Sequence, residues 1–96
     1  MVIGGKDRPI AFTVNALIEL RDKYQIDVIK GMTEEAMSPE TIRAIAFVGL
    51  KHGAKRAKQE FTETIDEVGD LLTLDTIGDL MKTILGQAAK EGKPGE

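Results

Sequence analysis

His52 is the one imidazole in a chain without cysteine, and this limits the chemistry available. A metal site built on imidazoles needs more than one of them, and thiolate ligation is closed off. No nucleophile or carboxylate partner for His52 is indicated by spacing, so it has no catalytic set to join. It follows Lys51 and precedes Gly53, where a helix C-terminus welcomes positive charge, and a capping or surface role is expected. Carboxylates are the second resource. Glu60, Glu63, Asp66, Glu67, Asp70, Asp75 and Asp79 stand in a stretch that holds no Lys or Arg from Gln59 to Met81. Paired acids can move protons, but a run this dense reads as a solvated face. It also lacks the alternating Asp/Asn ligands and Gly of a calcium loop. Gly5-Lys6 lacks the GxxxxGK[ST] spacing of a phosphate loop and reads as a hairpin turn. No catalytic residue, metal or cofactor is expected.

Charge narrows the partners. A net charge of −3 disfavours nucleic acid, and the short basic run Lys51, Lys55, Arg56 and Lys58 follows a helix end rather than forming a recognition helix. Basic run and acidic stretch together suit partner steering or head-to-tail self-association; two solvated surfaces are the plainer reading. No stretch approaches the roughly 18 apolar residues of a membrane span. The first residues, MVIGGKDRPIAF, lack a signal-peptide pattern, and an intracellular protein is expected.

The elements that must carry these groups centre on Ser38 to Gly53. Ser38 reads as an N-cap with Pro39 at the first helical position, and Gly53 as the terminator. Between them, Ala44 to Leu50 is apolar or small throughout, so this helix must be wrapped by others. Upstream, Val2-Ile3 and Ile10 to Phe12 flank Gly4-Gly5-Lys6-Asp7 as a hairpin. Thr13 caps a helix from Val14 to about Tyr24, with Val14, Leu17, Ile18 and Arg21 on one stripe, Leu20 and Tyr24 alongside, and Glu19, Asp22 and Lys23 on the wet side. Gln25 to Met32 reads equally as strand or helical turn, broken at Gly31, and Thr33 to Met37 as a polar connector. Ala54 to Glu60 reads as charged and exposed. Thr62 or Thr64 caps a third helix, Thr64 with Glu67 matching a capping box, and Gly69 within it favours a short or bent helix.

The last helix, opened by Thr73 or Asp75, has the clearest periodicity. Ile77, Leu80, Met81, Ile84, Leu85 and Ala88 fall at helical spacing. Residues 91–96 form a polar, breaker-rich tail. The fold expected is mainly α, with a small N-terminal β-hairpin: one domain over 1–90, hairpin 1–12, and helices about 14–24, 39–52, 63–72 and 75–90 bundled around the central one. With catalysis unsupported, interaction remains. The stripe Ile77, Leu80, Met81, Ile84 and Leu85, rimmed by Asp75 and Asp79, is the expected partner-binding face. Its competing role is to pack on the central helix.

Taken in order, the motifs resemble a known family. A hairpin leads into Phe12-Thr13-Val14-Asn15-Ala16-Leu17, then Glu19-Leu20 and Lys23-Tyr24; a central helix ends in Gly49-Leu50-Lys51-His52; a Thr-capped acidic helix and an amphipathic helix follow. This order is similar to the tail assembly chaperones of long-tailed bacteriophages, over about residues 2–90, in their short form. The resemblance implies a non-enzymatic protein of the host bacterial cytoplasm. It would bind the tape-measure protein and keep it soluble, then be absent from the mature virion. Tail-tube subunits would be recruited through a frameshift-extended form. A small helical adaptor or head–tail structural protein is the alternative, and a homo-oligomer fits either.

Overall fold

The computed structural model describes residues 1–28 and 38–91, with only the backbone described from Leu85 to Glu91. Two strands, β1 (Val2–Ile3) and β2 (Lys6–Asp7), precede four helices: α1 (Val14–Tyr24), α2 (Pro39–Arg56), α3 (Ile65–Leu71) and α4 (Leu74–Glu91). The chain is thus mainly helical with a small antiparallel hairpin. The expected break at Gly31, the connector Thr33 to Met37, the tail from Gly92 and the side chains of Leu85 and Ala88 lie outside the described residues.

The hairpin is shorter than its sequence suggests. Val2 pairs with Asp7 and Ile3 with Lys6, across a turn in which Gly4 and Gly5 both have positive φ, 64° and 76°. That geometry belongs to type I′ turns, which match strand twist and favour glycine. Ile10 to Phe12 is therefore not the second strand. It lies instead along α2, where the Ala11 N–H donates to the Gly49 carbonyl at 3.0 Å. Two missing side chains permit this approach. A Cβ on Gly49 would stand 2.6 Å from the Phe12 ring, and one on Gly53 would stand 2.3 Å from the Pro9 carbonyl oxygen.

Gly53 consequently does not end the central helix. It is buried inside α2, which runs on to Arg56 and takes Ala54 into its buried face. Closure comes at Lys58, whose φ of 57° lets the Gln59 N–H reach the Ala54 carbonyl at 2.8 Å. The start of α2 is as its sequence indicates: the Ser38 hydroxyl accepts from the Thr41 N–H at 3.1 Å, with Pro39 in the first turn. Ile45, Val48 and Leu50 are enclosed, each contributing about 1.5–3 kcal/mol by leaving water. Phe47 is half-buried and meets the Phe61 ring, with centroids 5.6 Å apart.

Around this helix, α1 begins at Thr13, whose hydroxyl accepts from the Ala16 N–H. Its buried stripe is Ala16 and Leu20, with Leu17 and Tyr24 half-buried; Val14 and Ile18 remain 68% and 40% exposed. The expected stripe through Val14, Ile18 and Arg21 is thus off by part of a turn. Phe12, buried just before the helix, fixes where α1 enters the core, and Glu19 is turned inward. The helix closes with Gln25 in the left-handed region, donating to the Arg21 carbonyl, and with the Ile26 N–H on the Leu20 carbonyl. Helix α3 carries the full capping box, with Thr64 and Glu67 bonding each other's backbone. Arg8 ties hairpin to helices. Its Nε donates to the Ile3 carbonyl, and its Nη1 to Glu63 at 3.3 Å.

Candidate functional site

Two clusters gather the groups singled out above. The first joins α1 to α2. Glu19 has a side chain only 12% exposed; its Oε2 accepts from Lys51 Nζ at 3.0 Å, and its Oε1 lies 3.0 Å from His52 Nε2. Glu19 is therefore not on the wet side, and His52, one turn short of the helix end, is not a cap. Burial alone would push the Glu19 carboxyl up, but the hydrogen bonds from His52 and Lys51 outweigh it and hold the group below its ordinary 4.5. An ionised carboxylate only accepts, so the imidazole nitrogen facing it carries hydrogen.

An acid beside an imidazole resembles part of a catalytic set, but among the described residues His52 is hydrogen-bonded to no hydroxyl. The chain has one serine, Ser38, which caps the far end of α2, about 20 Å away along the helix. The cluster has a mechanical role: one half-buried carboxylate clamps two successive side chains of α2 onto α1. It also joins the two sequence motifs that carry the family resemblance, since Phe12 and Glu19 meet Gly49, Lys51 and His52. Those motifs describe how α1 seats on α2.

The second cluster is on α4. Thr73 opens this helix, its carbonyl accepting from the Ile77 N–H and its hydroxyl from the Thr76 N–H. Leu80 and Ile84 are enclosed in the core, 0% and 2% exposed, with Thr76 beside them. These two residues of the expected binding face are thereby corrected: side chains so enclosed reach a partner only if the helix leaves the bundle. Ile77 and Met81 are half-buried, Asp75 and Asp79 exposed. The residue missed by the stripe is Leu74, 88% exposed at the first position of α4. Leu74, Ile77 and Met81 stand at offsets of 0, 3 and 7, so they share a face rotated away from the core-facing one. The sequence signal was present in that spacing; two apolar faces side by side simply read as one broad stripe.

Next to this face, between the start of α2, the body of α3 and the start of α4, lies a cleft of about 430 Å³. Ile42, Leu72 and Ile77 supply apolar lining, and Glu40, Asp66 and Asp70 acidic lining. Arg43 reaches Asp66 at 3.1 Å by passing over Gly69, where a Cβ would stand 2.7 Å from the arginine stem. Gly69 is therefore a packing device within α3. Among the described residues no group of three or more His, Cys, Asp or Glu is placed to hold a metal ion, and no helix is long and apolar enough to cross a membrane. Compared with known proteins, the chain matches no family model, no curated protein and no solved structure.

Proposed function

We propose that this chain is a tail assembly chaperone of a long-tailed phage, a non-enzymatic protein that binds the tape-measure protein and keeps it soluble. The observation that carries the proposal is the second apolar face of α4. Leu74 is 88% exposed and in line with half-buried Ile77 and Met81, and exposed Asp75 follows it in the chain. A long helical ruler exposes apolar stripes that aggregate before tube subunits cover them. A short apolar face within an acidic surface can cover such stripes reversibly, while a net charge of −3 adds repulsion between complexes. The order of motifs from Phe12 to His52 supports the same reading through the family resemblance. On this reading the chain works in the host bacterial cytoplasm, is absent from the mature virion, and leaves recruitment of tail-tube subunits to a frameshift-extended form.

Co-expression with the long helical protein encoded beside it tests the proposal. The partner is expected to be insoluble alone, and soluble and captured with this chain when both are made. A partner whose solubility is unchanged and which is not captured overturns it.

A further inference from the structure

Ile77 belongs to two surfaces at once. It shares the outer face of α4 with Leu74 and Met81, and it lines the cleft between α2, α3 and α4. One side chain thus joins that face to the apolar lining supplied by Ile42 and Leu72. The charge beside this surface is one-sided. Glu40, Asp66 and Asp70 line the cleft, and all three are exposed. Among the described residues that line it, Arg43 is the one cation, and Asp66 engages it at 3.1 Å. Glu40 and Asp70 have no ion-pair partner among the described residues. Neither α3 nor α4 carries a Lys or Arg before Lys82. Helix dipoles account for Glu40 and Asp66, which stand in the first turns of α2 and α3. They do not account for Asp70. It lies in the last turn of α3, where an anion is disfavoured and a cation is the ordinary choice. A charge placed against a local rule, unpaired and at the edge of a cleft, points to a cation supplied from outside.

We propose that the cleft and the outer face of α4 together take one amphipathic helix of the partner, whose apolar stripe is bordered by Lys or Arg. Its apolar side chains cover Leu74, Ile77 and Met81. Its basic side chains enter the cleft, with methylene stems over Ile42 and Leu72 and charged heads against Glu40 and Asp70. From Leu74 to Met81 the helix advances about 10 Å, so two turns of a partner helix are enough to cover the face. The inference rests on the reading of α4 as the partner-binding face and adds the chemistry of what binds. It selects a basic amphipathic segment of the tape-measure protein over a neutral or acidic one.

Fluorescence anisotropy with the full chain and three labelled synthetic peptides tests it. The first is a capped helix of Leu and Lys with leucines at i, i+3, i+4 and i+7. The second has Glu in place of every Lys, and the third keeps the composition of the first but scrambles the leucine spacing. The first is expected to bind with a Kd on the order of 10–100 μM in about 50 mM NaCl, and the others at least about tenfold more weakly. E40Q/D70N should weaken binding of the first by about fivefold or more, and D70N alone should act in the same direction. D22N/E60Q removes the same charge at exposed positions outside the cleft and should change binding by less than about twofold. Far-UV circular dichroism establishes that the variants are folded. No binding of the first peptide, equal binding of either control peptide, or E40Q/D70N that binds as the wild type does overturns the proposal. No tape-measure protein enters this assay, so its outcome is independent of the co-expression test. Conversely, a tape-measure protein that binds E40Q/D70N as tightly as the wild type overturns the basic segment and leaves the chaperone reading standing.

Discussion

Gly53 and Gly78 are both glycines inside helices, and their surroundings demand opposite outcomes on substitution. A methyl at Gly53 would meet the Pro9 carbonyl oxygen at 2.3 Å, and backbone cannot step aside as a flexible side chain can; at Gly78 a methyl meets nothing within 4 Å. Gly53→Ala is therefore expected to cost about 2–3 kcal/mol. Gly78→Ala should add about 0.5–1 kcal/mol through helix propensity. Urea unfolding midpoints measure both. Glu19 gives a prediction in pH. Its carboxyl titrates below 4.5 in the fold, so its stabilisation is fully present above that value. As pH falls through the lowered value, protonation removes it. Glu19→Gln should lower stability at neutral pH by about 1–2 kcal/mol, and should make stability depend less on pH below 4.5. A variant as acid-sensitive as the wild type would contradict the clamp. Neither residue's role is legible from local sequence. Gly53 looks like a terminator because glycine ends many helices, and only the path of Pro9 and Ile10 shows why it is internal. Glu19 looks solvent-facing because it is charged, and its inward position depends on Lys51 and His52 on another helix.

At the scale of elements, local rules carried most of the fold. Ser38, Thr13, Thr64 with Glu67, and Thr73 each cap the helix that their positions indicate. Caps are contacts within one turn, and sequence spacing states them directly. Faces were harder to read. Helix α1 is rotated from its expected stripe because Ala16, small and uninformative, belongs to the buried side, while Val14 and Ile18 do not. Helix α4 presents Leu80 and Ile84 inward and Leu74 outward, and a period of 3.6 does not separate two neighbouring apolar faces. The division has a measurable consequence. Leu80→Ala should cost about 2–5 kcal/mol, the range for emptying an enclosed aliphatic site. Leu74→Lys should change stability by no more than about 0.5 kcal/mol, as exposed substitutions do. Equal effects at the two positions, read from thermal or urea unfolding, would contradict the assignment of faces.

For the molecule as a whole, α1 and α3 pack against α2, with Ile3 of the hairpin and Leu80 and Ile84 of α4 in the same buried core, and a wrapped central helix was legible because Ala44 to Leu50 is apolar or small throughout. The candidate site was legible in part. The last helix is amphipathic as its spacing indicates, with Ile77 and Met81 on the face of Leu74, but Asp79 stands about 140° around the helix from Leu74, and Leu80 and Ile84 belong to the core. No sequence rule says which of several apolar residues remain after the core is filled, because that depends on how much surface α1, α2 and α3 can cover. The central proposal is that the face of Leu74, Ile77 and Met81 binds a tape-measure protein. Its most direct test is a titration of purified, isotope-labelled chain with the tape-measure protein of the same genome, followed residue by residue by NMR. Shifts and broadening are expected to concentrate on Leu74, Asp75, Ile77 and Met81, and Leu74→Lys should weaken binding at least tenfold, about 1.4 kcal/mol, while leaving the fold intact. No perturbation at all, or binding mapped to α1 and undiminished in Leu74→Lys, would contradict the account.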